Sequence, residues 1–431
     1  MIRKILFFLS CLILVLFAVC STWLGSGSIA PYASTYSRVE VGECGYLYNI
    51  DHPQFVYAFQ MLDGVPKSNW EMGVLLRRVL YPILAYPSMK VWGLNLGGFI
   101  TNIWLVIFAA STLIIFLHRR FGPRAALIGG LLYGFYPGLT YYGGLPYCYF
   151  FIAQASILAF ITIHWLDAKP SFIRAIITGA FLGVLATGYD LLPFFAPVTI
   201  LTLIFKRRFL LWIPTVALMA LPQLGVIWYQ TKIMGLNPNT SNSEVYRYIL
   251  NAILRPNKEL YDQWLSLIYQ APYILMHNFL SSTFWALPIA FCLTYLAARR
   301  TVCARLSTPE WALILATLGL WSLNNFAPPY PGWQMRGTWL ARLYQPVFIA
   351  YLFYIARISS MLPKTSRAAK SVLLIVCGCT AFQAFVVISP VLGIYDVAGR
   401  VYREFYQHAG HGFFATHMEQ YGARPRGFCR R

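Results

Sequence analysis

The chain has 431 residues, of which 58% are hydrophobic, 17% aromatic and only 11% charged, with 34 Lys and Arg against 14 Asp and Glu. So few charges cannot cover a water-soluble fold of this size, and the net charge of +20 falls in short clusters beside apolar runs, with no soluble basic face of the kind that binds nucleic acid. The composition defines an all-α integral membrane protein: several apolar runs approach or exceed the ~20 residues that cross the hydrocarbon as a helix. Helices alone satisfy every backbone amide within such runs, and the alternation of a β-barrel strand is missing from them.

In chain order, residues 1–24 predict a first transmembrane helix. Arg3 and Lys4 precede the apolar run as they would in a signal peptide, but the stretch Ala18-Val-Cys-Ser-Thr-Trp23 has no small-x-small cleavage site, so the helix is expected to stay. Residues 25–98 then form a long first loop, expected outside, that carries Glu40, Glu43, Asp51 and Asp63. Within it, the apolar residues at 55, 58, 59 and 62 have helical spacing, and the pattern ends at Gly64. Asp51-His52-Pro53 is a helix start, with Asp51 as N-cap and proline in the first turn. Asp51 therefore has two available roles, which are compatible: a cap, and a carboxylate held at the membrane surface as a general base.

Arg77 and Arg78 follow, either as phosphate ligands or as side chains reaching up to lipid headgroups. Residues 79–93 are apolar but short, and they include Pro82, Pro87 and Lys90. They read as an interfacial helix, because a crossing here would invert every later helix and put most basic clusters outside.

Residues 99–390 predict a multipass bundle that brings the total to about eleven transmembrane helices. The helices are expected near 99–117, 125–142, 147–166, 172–189, 191–205, 209–230, 272–296, 310–325, 338–356 and 371–390. Basic clusters recur after every second one: Arg119-Arg120 with Arg124, Lys169 with Arg174, Lys206-Arg207-Arg208, Arg299-Arg300 with Arg305, and Arg357 with Lys364, Arg367 and Lys370. Together with Arg3-Lys4 they all fit the cytoplasmic side, and of the acidic residues only Asp167 and Glu310 join them there. Acidic chemistry is then expected on the outer face, in the first loop and in outer loops near 231–271 and 324–337.

Asp190, between two apolar runs, is either a solvated helix end or a substrate-binding carboxylate. The short basic tail, 391–431, is expected outside. Its histidines, His408, His411 and His417, have poor zinc spacing on a Gly-bearing segment, and no phosphate-cradling glycine loop occurs. No metal site and no cofactor are expected.

One acidic residue opening an aromatic-rich helix, then the basic, proline-bearing stretch Arg77-Arg-Val-Leu-Tyr81-Pro82, resembles the GT-C superfamily of membrane glycosyltransferases. Protein O-mannosyltransferases and the aminoarabinose transferases of lipid A are among its members. The likeness continues through residues 99–117, the turn His118-Arg-Arg-Phe121-Gly-Pro-Arg124 and the helix reaching Tyr136-Pro137, and returns at Ala341-Arg342-Leu-Tyr344-Gln-Pro346. It implies transfer of a sugar from a polyprenyl-phosphate-linked donor to a glycan, lipid or protein acceptor, with inversion, on the outer face of a bacterial inner membrane. Asp51 would be the catalytic base, Arg77, Arg78 and Arg342 would bind the donor phosphate, and Glu43, Asp63 and Asp190 would be available to bind substrate. The partners implied are the donor, the acceptor and membrane lipids.

Where many GT-C enzymes carry an acidic pair, this chain has Asp51-His52, so a metal-free mechanism is expected. Two other classes fit the composition: a multipass transporter using Asp190, and a noncatalytic membrane assembly protein. The alternation of charge generates the first prediction. Cysteine accessibility labelling should find residues 30–75 outside and residues 118–124 inside; labelling of both from one side would reject the orientation.

Overall fold

The computed structural model describes residues 2–25, 78–136, 139, 148–189, 191–233, 254, 286–326 and 345–388. Among them there are eleven α-helices and no strand. They are α1 (Ile2–Gly25), α2 (Leu80–Phe121), α3 (Pro123–Gly134), α4 (Cys148–Ala168), α5 (Phe172–Ala186), α6 (Leu192–Phe205), α7 (Trp212–Trp228), α8 (Ala286–Ala298), α9 (Thr308–Phe326), α10 (Gln345–Met361) and α11 (Arg367–Ile388). Five stretches among the described residues are long and apolar enough to cross a membrane: Arg3–Ser21, Gly97–Phe121, Phe150–Ala168, Phe209–Ile233 and Arg367–Phe385. The protein is thus a helical, membrane-embedded protein, as the composition requires.

Local chemistry sets the helix boundaries. Gly122 alone separates α2 from α3; its φ of 94° is open to glycine, and Pro123 starts the next helix where its missing N–H costs nothing. Ser171 caps α5 by accepting a hydrogen bond from the Arg174 amide, and the Ser307 amide donates to Glu310 Oε2 at 2.7 Å, one half of a capping box at the start of α9. At the end of α6 the amides of Arg207 and Arg208 bond back to the carbonyls of Ile204 and Leu203, which is a Schellman turn. Arg207 holds its left-handed position with φ 56°, a conformation that costs a side-chain-bearing residue about 1 kcal/mol or more.

One expected boundary needs redrawing. The helix expected over 125–142 ends at Gly134, because Phe135 and Tyr136 turn out of helical geometry just ahead of Pro137. Residues 80–93 are helical and run on into the next helix as part of α2, but α2 is not straight. A straight helix would separate Tyr81 from Asn102 by about 30 Å, yet the Tyr81 hydroxyl donates to Asn102 Oδ1. A Cβ placed on Gly97 would lie 2.4 Å from the Met89 backbone. The chain therefore doubles back between Met89 and Gly97, and residues 80–89 lie against the first turns of the helix that starts near Gly97.

The core centres on α10, whose residues from Phe348 to Ala356 are buried almost without interruption against α3, α4, α8 and α9. Lipid supplies no hydrophobic force between helices, so close approach of small residues becomes the main source of packing. The pair α5 and α7 shows it. A Cβ on Gly179 would come within 2.3 Å of the Thr215 carbonyl oxygen, and one on Gly183 within 2.5 Å of that of Met219. These glycines are four apart, so both fall on one face of α5 and admit the α7 backbone.

The helix ends carry a strong polarity. Phe7 meets His118, Arg124 donates to the Leu362 carbonyl, Lys206 pairs with Asp167 at 3.3 Å, and Arg357 pairs with Glu310 at 2.7 Å. Those contacts gather the described basic clusters at a single end of the bundle. At the other end, Tyr136 stacks on Phe348 with centroids 3.8 Å apart, and the amide of Leu80 donates to the carbonyl of Thr187.

Gly183→Leu should drive a side chain into the α7 backbone and lower stability in detergent by about 1–3 kcal/mol. Gly225→Leu on α7, where nothing lies within 4 Å, should leave the unfolding midpoint unchanged. Equal midpoints for the two variants would contradict the close approach of α5 and α7.

Candidate functional site

Arg78 is the sequence-predicted site residue that falls within the described part of the chain. Glu43, Asp51, Asp63, Arg77, Asp190 and Arg342 lie outside the described residues. Arg78 belongs to the end of the bundle opposite the basic clusters, immediately before α2. Its guanidinium carbon sits 4.2 Å from the ring centroid of Tyr189, the residue that precedes Asp190. Arg78 and the turn that follows α5 therefore meet.

Three features hold that junction. The Leu80 amide donates to the Thr187 carbonyl at 3.3 Å, which ties the start of α2 to the turn after α5. Gly188 in that turn lies flat against Phe151: an added Cβ would fall 2.1 Å from the ring, so a side chain there would push the turn away from α4. Tyr81 fits between these parts, packing its ring on Phe151 at 6.1 Å and donating its hydroxyl to Asn102. Tyr81, Asn102 and Phe151 are almost fully buried, and Tyr189 is 3% exposed. The residues beneath Arg78 are therefore closely packed.

The arrangement suits an anion. The guanidinium carbon lies over the ring face as a cation–π contact, and a guanidinium meets phosphate or carboxylate oxygens in pairs through its N–H groups. The ring below it contributes a weakly attractive π face and excludes water from one side. Among the described residues no three His, Cys, Asp or Glu side chains gather as a metal site.

Sequence reading missed Tyr81, Asn102 and Tyr189. One signal was present for Asn102, an amide inside an otherwise apolar run that has to find a partner in a membrane helix. Tyr189 offered none, because its partner lies far away along the chain.

No protein-family model matches this sequence, and no curated protein matches it. The reading of the site therefore rests on residues and geometry. Cysteines introduced at Leu80 and Thr187, in a chain whose native cysteines are replaced, should join rapidly through a short bifunctional thiol reagent. The pair Leu80 with Leu293, whose second residue belongs to α8, should not; equal cross-linking of both pairs would reject the junction beneath Arg78.

Proposed function

We propose that the chain is a multipass GT-C-type glycosyltransferase that moves a sugar from a polyprenyl-phosphate-linked donor to an acceptor at the outer face of a bacterial inner membrane. The observation that supports this reading is Arg78, whose guanidinium carbon lies over the buried ring of Tyr189, at the end of the bundle away from the basic clusters. Basic clusters mark the cytoplasmic side by the positive-inside rule, so in this reading Arg78 faces the outside. Residues 79–93 then lie at the outer interface, supported by the reversal between Met89 and Gly97, and the bundle comprises about eleven transmembrane helices.

In the proposed reaction the acceptor hydroxyl attacks the anomeric carbon from the side opposite the lipid phosphate. The new glycosidic bond forms as the bond from carbon to phosphate oxygen breaks, and configuration inverts. Asp51 takes the hydroxyl proton, which a carboxylate at the acceptor side suffices to do. The electron pair of the breaking bond goes to the phosphate, where Arg78, with Arg77 and Arg342, neutralises the added charge through paired N–H donors. Asp190, which follows Tyr189 in the sequence, would bind hydroxyls of the sugar. No metal enters this scheme.

The test compares lipid-linked sugars and surface glycans by mass spectrometry in cells with the gene intact, deleted, or replaced by an Asp51→Asn variant. Asn caps a helix about as well as Asp but cannot accept the proton. The variant should reach normal membrane levels with transfer reduced roughly 10²-fold or more, and deletion should make a lipid-linked sugar accumulate. An unchanged profile on deletion would reject the glycosyltransferase reading, and full transfer by Asp51→Asn would leave that residue as a cap alone.

A further inference from the structure

At the basic end of the bundle the ends of four helices meet. Leu166 of α4, Ala175 of α5 and Leu203 of α6 form a small buried cluster of their own, with Leu211 packed on it from the short 3₁₀ turn before α7. Around this knot stand Lys169, Arg174, Lys206, Arg207 and Arg208, against the carboxylate of Asp167. Lys206 is answered by Asp167 at 3.3 Å. Arg174 lies over the Trp165 ring at 4.6 Å and donates to the Trp165 carbonyl at 2.7 Å. Among the described residues no acidic side chain pairs with Lys169, Arg207 or Arg208, and all three are exposed.

Two further observations single out this corner from the other basic clusters. Arg207 occupies the left-handed position of the Schellman turn, where glycine is the ordinary residue; the chain keeps a cation there against its backbone preference. The same corner exposes a belt of large apolar side chains, Phe172, Phe205, Phe209, Leu210 and Trp212, directly beside the cations. Aromatic residues at that level are the usual anchors at the boundary between headgroups and acyl chains.

We infer that this corner binds an anionic phospholipid of the leaflet it faces. Arg207 and Arg208 hold the phosphate of the headgroup, and the acyl chains lie along the apolar belt of Phe205, Phe209 and Leu210. An inorganic anion would use the cations alone. The belt makes the lipid the better match, since cationic and apolar surface meet in the order in which headgroup and chains meet in a phospholipid. The inference rests only on the membrane reading of the chain and stands apart from the glycosyltransferase proposal.

The test is a titration of the purified full chain in detergent, read by native mass spectrometry and by thermal unfolding. The probes are phosphatidylglycerol, phosphatidylcholine and inorganic phosphate. Phosphatidylglycerol should bind and raise the unfolding midpoint, and phosphatidylcholine should do neither. The double variant R207G/R208Q removes two cations while supplying the turn with glycine, so folding is kept. Two surface cations at about 1 kcal/mol each predict affinity weakened about 30-fold. The control pair R299Q/R300Q, in another basic cluster at the same end, should weaken it less than twofold. Equal losses in the two double variants would reduce the effect to general attraction and overturn the site. Equal stabilisation by inorganic phosphate would identify an anion site in place of a lipid site, and equal binding of the two phospholipids would reject the role of charge.

Discussion

The ion pair of Arg357 with Glu310 closes one end of the bundle, and much of the architecture at that end hangs from it. Arg357 belongs to α10, the helix on which α3, α4, α8 and α9 pack. From there it holds Glu310 at the start of α9 at 2.7 Å and the carbonyl of Arg305 at 2.8 Å, while Tyr354, one turn earlier, donates to the carbonyl of Ala304. The connection from α8 to α9 is thereby stitched to the central helix. Glu310 is 1% exposed, and a carboxylate so placed is stable only with its partner: removing one member of a buried pair leaves a charge whose desolvation typically costs 3–5 kcal/mol. Glu310 also accepts from the Ser307 amide, so a single carboxylate starts α9, neutralises Arg357 and fixes the turn.

Among the described residues the two ends of the molecule show different contacts. At the basic end, cations are numerous, and a few are tied down by Asp167, Glu310 and backbone carbonyls. At the far end the described contacts include rings, backbone groups and one side-chain hydrogen bond: Tyr136 on Phe348, Tyr81 on Phe151, Leu80 with Thr187, and Tyr81 to Asn102. Arg78 lies among such contacts, its guanidinium carbon over the Tyr189 ring.

The segregation of charge was legible in the sequence because it depends on local composition alone: each basic cluster sits beside the apolar run that it terminates. Helix existence was legible for the same reason. The reversal between Met89 and Gly97 was only half visible. Residues 79–93 read as too short and too proline-rich to cross, but their return along the first turns after Gly97 depends on Tyr81 finding Asn102, a contact between two positions that hydropathy does not link. Gly179 and Gly183 were invisible for a related reason: a glycine spacing means close approach only when the partner helix is known. The site was the least legible part. Of its candidates Arg78 has a described position, and the residue that makes it a candidate anion ligand, Tyr189, is unremarkable in an apolar chain.

The platform at Arg78 bears on how a membrane protein could hold a lipid phosphate against water. An arginine that merely snorkels keeps its hydration, and its attraction to a phosphate is screened at an effective dielectric near that of water. With the Tyr189 ring under the guanidinium carbon, part of that hydration is already gone before any anion arrives. The remaining attraction acts through a less polarisable surrounding, and the side chain has less rotamer freedom left to lose. Such a site favours a ligand with a compact negative charge, and in a membrane-embedded bundle a lipid-linked phosphate is such a ligand, which is how the contact of Arg78 with Tyr189 supports the proposed donor.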